Sequence, residues 1–282
     1  MHENETTVTI MGAGGKMGTR IRNNLVNNSH RLLLCEKSEQ GRAAIRSKGL
    51  SVTPMEEAVP RSDVLIMAVP DAVLGAVSRE VVPLMKSGSL FILLDPAAAY
   101  AGEVALREDC TFMVTHPCHP ALFEEQDSPE ARADMFGGVA AKQDIVVALI
   151  QGEEEQYDRG IDICTRMFAP VVNAHRITVA HMALLEPAMA EVVGAACGVK
   201  LKEAMEEVIR RGVPEAAARA FMLGHIRIVL AILFKSSNPF SDAAVRALHY
   251  GSRKLFKDDW KQVFEQEAIK EVLQEMLHPD GG

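Results

Sequence analysis

The stretch Thr7 to Gly18 reads TVTIMGAGGKMG, five strand-forming residues that run straight into glycines at positions 12, 14, 15 and 18. Such a run is a strand passing through a tight turn into a helix. Glycine serves the turn twice: it tolerates the backbone angles, and without a Cβ it admits a close neighbour. A helix starting there aims unpaired N–H groups and a positive end at whatever lies above the turn, and a dinucleotide pyrophosphate is the group that fits. The predicted contacts are Gly12, Ala13, Gly14, Gly15, Lys16, Met17 and Gly18.

Working outward, Ile21 and Leu25 share one helical face at i, i+4 spacing, and Arg31 to Glu36, RLLLCE, reads as a short buried strand. Together these make a βαβ unit. Its last residue, Glu36, lies 24 positions beyond Gly12, where a carboxylate accepts hydrogen bonds from the adenosine ribose hydroxyls. A carboxylate there repels a 2′-phosphate, so the expected cofactor is NAD rather than NADP. Lys37 and Arg42 follow closely and soften that preference.

Further strand-like runs occur at Val64–Val69, Leu90–Leu94, Phe112–Thr115, Ile145–Ile150 and Val171–Ala174, with helical patterns at Gln40–Lys48, Ala72–Met85 and Glu154–Phe168. Near-continuous apolar strands suit a sheet covered by helices on both faces. The texture changes near Thr178, beyond which only helical patterns appear: Val179–Gly198, Leu201–Arg210, Pro214–Phe234, Asp242–Tyr250 and Trp260–Met276. The expected architecture is an α/β Rossmann dinucleotide-binding domain over residues 1–176 and an all-helical domain over residues 177–282. Ala188–Ala196 and Ile226–Phe234 are apolar almost all round, which predicts homodimerisation through the helical domain. The tail Lys257–Met276 reads as a solvated amphipathic helix.

Composition narrows the function classes. The formal charge is −8 with no basic run, which argues against nucleic acid as a partner. Five cysteines, widely spaced and without a CxxC pair, indicate neither a disulfide framework nor structural zinc, and suggest a cytoplasmic protein. The N-terminus MHENETT lacks a secretory pattern. Polar residues interrupt Val179–Val199, and Phe221–Phe234 covers only 14 positions, so both read as buried helices rather than membrane spans. No GxSxG, HExxH or P-loop lysine motif is present.

In open α/β sheets ligands bind beyond the carboxyl ends of the strands. The run DVLIMAVPD ends in Val69, Pro70 and Asp71, small or restricted residues suited to lie beneath a cofactor. The next strand ends at Asp95, before Pro96 and three alanines; a turn cap and a catalytic carboxylate are both open readings there. FMVTHPCHP places His116 and His119 just past an apolar strand, held by Pro117 and Pro120, as candidates for proton relay or metal binding. In AHMALLEPAMAE, Glu186 precedes a helix-interrupting Pro187, and a carboxylate in so apolar a helix requires a partner: a metal, a substrate hydroxyl or an arginine. Glu191, five residues on, falls on a different face of a regular helix. His225, Arg227, His249, Tyr250 and Lys254 read as polar interface residues.

With GAGGKMG, AVPD, the HP turn and the all-helical second half, the chain resembles the 6-phosphogluconate and β-hydroxyacid dehydrogenase superfamily over its whole length. THPCHP, DIVVALIQG and ALLEPAMAE make it most similar to the D-apionate oxidoisomerase group within that superfamily. The resemblance implies NAD-dependent oxidation of a branched five-carbon sugar acid with a carboxylate shift, giving 3-oxo-isoapionate. One departure matters: the helix lysine in a KxxxN pattern that serves β-hydroxyacid dehydrogenases as acid/base does not occur between Val179 and Val199, where His181 and Glu186 stand instead. A carboxylate shift needs neighbouring oxygens held and polarised, which a divalent ion does well. His116 and Glu186 are the expected ligands and catalytic residues, with His119 as secondary ligand or proton relay. Other readings left open are a decarboxylating NAD(P)-dependent hydroxyacid dehydrogenase using His116 as base, and a non-catalytic NAD sensor.

Overall fold

The computed structural model describes residues 6–26, 30–236 and 238–279. The expected βαβ rhythm is present: β1 (Thr7–Met11), α1 (Lys16–Leu25), β2 (Arg31–Cys35), α2 (Glu39–Arg46), α3 (Met55–Ala58), β3 (Val64–Met67), α4 (Asp71–Val81), β4 (Leu90–Leu93), α5 (Ala97–Tyr100), β5 (Thr111–Pro117), α6 (Pro129–Ala133), β6 (Gln143–Gln151), α7 (Glu154–Met167) and β7 (Val171–Arg176). The strands form one sheet in the order β2-β1-β3-β4-β5-β6-β7. All neighbours are parallel except β5 and β6. The chain leaves β1 for β2 on one side and returns to β3 on the other, so the topological switch point, where such sheets bind ligands, lies beside β1.

The runs that read as unbroken apolar sequence are the buried centre. Val64–Met67 and Leu90–Leu93 are buried at every residue, and α7 packs against α1 and across β4 to β7. Val8, Ile10, Ile66, Ile92, Met113 and Val147 share one cluster with Ile21 and Leu25 of α1 and Ile163 and Met167 of α7. Each such side chain contributes about 1.5–3 kcal/mol of burial. This core holds the carboxyl ends of β1, β3, β4 and β5 in register along one edge.

The second half contains α8 (Val179–Ala183), a π-helical segment (Leu184–Ala195), α9 (Ala196–Arg210), α10 (Glu215–Lys235), α11 (Asp242–Leu255) and α12 (Gln266–Leu277). The chain divides into two compact units, Leu185–Ile269 and the remainder, so the boundary falls after Leu184 rather than at residue 176, and Lys270 onward rejoins the first unit. The tail is accordingly not a solvated helix: Ile269, Leu273 and Leu277 form a buried i, i+4, i+8 stripe, and His278 pairs with Glu103 at 2.9 Å.

Two expectations about the apolar helices need correction. Val179–Arg210 is one helical run of 32 residues and Glu215–Lys235 one of 21, both long and apolar enough to cross a membrane. They are also not buried within the single chain: only 6% of the most apolar window of α10 is covered. Pro187 and the polar side chains interrupt the sequence pattern without ending the helix. The run widens to π winding, which absorbs the missing Pro187 N–H.

Candidate active site

The nucleotide turn takes the shape its glycines permit. Gly12 adopts a left-handed φ of +75°. Its N–H and that of Ala13 donate to the Cys35 carbonyl at 2.9 and 3.1 Å, and the Gly15 N–H closes the turn on the Gly12 carbonyl at 3.0 Å. A Cβ on Gly12 would strike the Ala68 carbonyl, one on Gly18 the Gly12 carbonyl, and one on Gly14 would lie 2.5 Å from Gly41 Cα. These neighbours are backbone and cannot swing away. Lys16 and Met17 open α1, whose cap residue Gly15 supplies no side-chain acceptor, and no acid occupies the first turn. The helix end is therefore left for an anion. The Ala68 N–H donates to Met11 at 2.9 Å, which draws Val69, Pro70 and Asp71 alongside the turn. This cradle fits a dinucleotide.

Glu36 follows β2 and turns back over the glycines. Its carboxylate accepts from the N–H of Gly14, the N–H of Ser38 and the Ser38 hydroxyl, each at 2.9 Å. Burial would raise its pKa, but the Ser38 and Gly14 donors outweigh burial and hold it below the usual carboxylate value. Arg42 Nε donates to the Glu36 carbonyl at 2.8 Å, so the expected softening cation is anchored on the backbone of the acid itself.

At the same sheet edge β4 runs out into Asp95. Its Oδ1 accepts from the Ala97 N–H at 2.8 Å, and its Oδ2 lies 3.9 Å from His116 Nδ1. One carboxylate thus serves as both turn cap and imidazole neighbour. His116 itself is not past the strand end: pairing with antiparallel β6 extends β5 through Pro117, with His116 opposite Val146. His116 Nδ1 sits 2.9 Å from the Leu94 carbonyl, an acceptor only, so in the neutral ring Nδ1 carries the proton and Nε2 the lone pair. His119 has the same tautomer for the same reason, with Nδ1 2.8 Å from the Phe136 carbonyl, and it reaches that geometry through a left-handed φ of +59°.

Glu186 lies in the first turn of the π-helical segment that continues α8, half-buried before Pro187. Asp95, His116 and Glu186 each offer one ligand atom, and these atoms lie within 4.8 Å of one another. The sequence had pointed to two of the three; Asp95 had been assigned no metal role. Two carboxylates and an imidazole suit divalent cations such as magnesium, manganese or calcium, so the donor set fits an ion. His119 is not among the three. The π winding also revises the relation of Glu186 to Glu191, because residues five apart approach one face when each N–H bonds to the fifth residue back. His181 has its N–H on the α8 cap Thr178 at 3.1 Å. His225 is stacked on Phe221 at 3.8 Å, and Arg227, His249, Tyr250 and Lys254 are exposed on the second unit.

Two residues of this region were missed. Arg20, on α1, lays its guanidinium 4.5 Å from the Phe136 ring, and Phe136 stands 4.7 Å from the His119 ring. The turn sequence Asp134-Met-Phe-Gly-Gly before β6 marks Phe136 as a loop residue, and no local pattern marks Arg20.

Residues 124–277 match the family model for the C-terminal domain of decarboxylating phosphogluconate dehydrogenase, and residues 3–122 match the NADPH-binding domain of acetohydroxy acid isomeroreductase. The chain is 44% identical to the D-apionate oxidoisomerase of Blautia hydrogenotrophica, over 97% of both chains, and 44% identical to that of Pectobacterium atrosepticum, over 97% of this chain and 96% of the relative. It belongs to the D-apionate oxidoisomerase family. A solved relative from Cupriavidus necator, described as a semialdehyde dehydrogenase NAD-binding protein in complex with calcium and NAD, superposes with a TM-score of 0.94 at 41% identity, covering 97% of this chain and 100% of the relative. This oxidoisomerase-family chain is an NAD(P)-dependent oxidoreductase, and its first unit is an NAD(P)-binding Rossmann fold.

Proposed function

We propose that this protein oxidises D-apionate with NAD and shifts its carboxylate, yielding 3-oxo-isoapionate, with a divalent ion held by Asp95, His116 and Glu186. The juxtaposition of those three side chains at the sheet edge that carries the nucleotide turn is the observation on which this rests. When bound, NAD would supply the hydride acceptor, and a divalent ion held by these three side chains would supply Lewis-acid polarisation of adjacent substrate oxygens. His119, its Nδ1 proton committed to Phe136, presents Nε2 to take the alcohol proton. Glu36 favours NAD, and the Cupriavidus relative, bound to calcium and NAD, is consistent with both groups.

NADH formation from D-apionate, with and without a chelator, is the test. Turnover with every carbon retained in the product supports the reading, as does its loss by roughly a thousandfold in His116→Ala and Glu186→Gln while NADH still binds. Carbon dioxide released in step with NADH would assign a decarboxylating dehydrogenase instead, and NAD binding without turnover of any sugar acid would assign a sensor. Full activity in chelator-treated His116→Ala protein would remove the metal role.

The second unit supports homodimerisation. Phe221, Leu223, Ile228, Leu233 and Phe234 of α10 are all exposed, and a concentration of large apolar side chains on one exposed helix marks an interaction surface. Arg219, His225 and Arg227 lie within the same helix, and a charge there would cost about 2.5–3.5 kcal/mol at a bilayer centre, so a second copy of this chain is the better cover. Sedimentation as a monomer at micromolar concentration would overturn it.

A further inference from the structure

The loop between β5 and β6 ties the nucleotide helix to the histidine strand through contacts that the chemistry above leaves unused. Asp134 builds this loop. Its carboxylate accepts from the N–H groups of Gly137, Val139, Ala140 and Ala141 at 2.9–3.1 Å, and Gly137 and Gly138 take left-handed φ angles of +78° and +77°. The Gly138 carbonyl is held from α1 by Asn24 Nδ2 at 3.1 Å. The loop is thus anchored at both ends and presents Phe136 in a fixed place.

Phe136 has a neighbour on each side. His119 donates to its carbonyl and stands against its ring, and the His119 ring lies 6.2 Å from that of His116. The Arg20 guanidinium lies over the Phe136 ring at 4.5 Å, and Arg20 Nε is buried without a hydrogen-bond partner among the described residues. A guanidinium can lie over an aromatic face and still offer its N–H fork, which matches the two oxygens of a carboxylate. Burying a guanidinium nitrogen without an acceptor is costly unless a ligand completes it.

We propose that Arg20, held by Phe136 beside His119, binds the carboxylate of the substrate acid and so sets the enzyme's preference for anionic substrates. This rests on the sugar-acid reading above and adds the residue that recognises the acid. The dinucleotide is the rival source of anionic oxygens, since Arg20 lies one turn into α1. The geometry favours the substrate: the guanidinium is fixed by the loop that also fixes His119, whereas the uncapped first turn of α1, ahead of Arg20, offers its own amides to the pyrophosphate.

Arg20→Met and Arg20→Lys separate the possibilities. Binding of D-apionate and of tartronate, a small hydroxy diacid, to the enzyme–NADH complex is followed by the change in bound NADH fluorescence, and NADH affinity is measured separately. Loss of a charge-assisted pair predicts acid binding about 10- to 100-fold weaker in Arg20→Met. Arg20→Lys, which keeps the charge without the planar fork, should fall between, and NADH affinity should stay within about twofold in both. Equal acid binding in wild type and Arg20→Met, no acid binding to the wild-type complex, or NADH affinity falling in parallel would each overturn the proposal. Turnover of D-apionate by the wild type reports on the functional reading alone, because tartronate binding tests Arg20 whichever acid is oxidised. Thermal melting of both variants checks that they fold.

Discussion

Replacing Glu36 by Gln keeps its size and one acceptor oxygen for the Gly14 N–H, 2.9 Å away, removes the charge, and puts an NH2 in place of the oxygen that accepts from Ser38. A 2′-phosphate carries roughly 1.5 to 2 negative charges. At about 4 Å from a carboxylate, each unit charge costs about 1 kcal/mol in water and about 4 kcal/mol at an effective dielectric near 20. Glu36 is half-buried and screened by salt, so the lower end, about 2 kcal/mol in all, is the fair figure. Removing it should raise kcat/KM with NADP about 30-fold. NAD loses the charge assistance to its ribose hydroxyls, about 1 kcal/mol or fivefold. The NAD-to-NADP ratio should therefore fall by about 100-fold, helped by Arg42, which already lies against the Glu36 backbone at 2.8 Å. Initial rates with each cofactor at saturating acid measure this ratio. A change below about threefold, in a variant that melts like the wild type, would refute the assignment of Glu36 to the ribose and the electrostatic argument with it.

Two further perturbations test other parts of the fold. Asp134→Ala strips the acceptor from four loop N–H groups and should cost about 2–3 kcal/mol at neutral pH. Burial alone would raise the Asp134 pKa, but those amides hold it below the usual value. Its contribution is therefore present above the unfolded pKa of about 4 and is lost as pH falls through the folded one; urea melts of wild type and variant should converge on acidification, and a constant gap would contradict this. Arg22 is 2% exposed, and its Nε and Nη1 have no hydrogen-bond partner among the described residues. Arg22→Met should be neutral or stabilising by up to about 2 kcal/mol, which a thermal melt reads directly; a large loss would mean the guanidinium has a structural role.

The glycine turn and the placement of Glu36 beside it were legible because both are set by local backbone geometry. Gly12 needs a left-handed φ, Gly14 and Gly18 need to be small, and an acid at the end of β2 meets the turn wherever a βαβ unit forms. His116 and Glu186 were legible as chemistry out of place, an imidazole at a strand end and a carboxylate in an apolar helix. Asp95 was harder, since a residue before proline reads first as a cap, and it proves to be a cap that also faces His116. Arg20 and Phe136 could not be connected from sequence at all, because their contact spans more than a hundred residues and one of them looks like a surface arginine on an amphipathic helix.

By itself the sequence determined the class of fold, the glycine turn and the acid that follows it, because strand periodicity and glycine conformation are short-range properties. It misjudged the helices after residue 178, because the apolar stripe of α12 is diluted by charges, and because proline in a helix reads as a break unless the turn around it is known to be wide. Tertiary structure alone decided that β5 runs on through His116, that Asp95 joins His116 and Glu186, and that the loop built on Asp134 sets Phe136 between Arg20 and His119. Those outcomes depend on antiparallel pairing, helix winding and long-range packing, which no local pattern encodes.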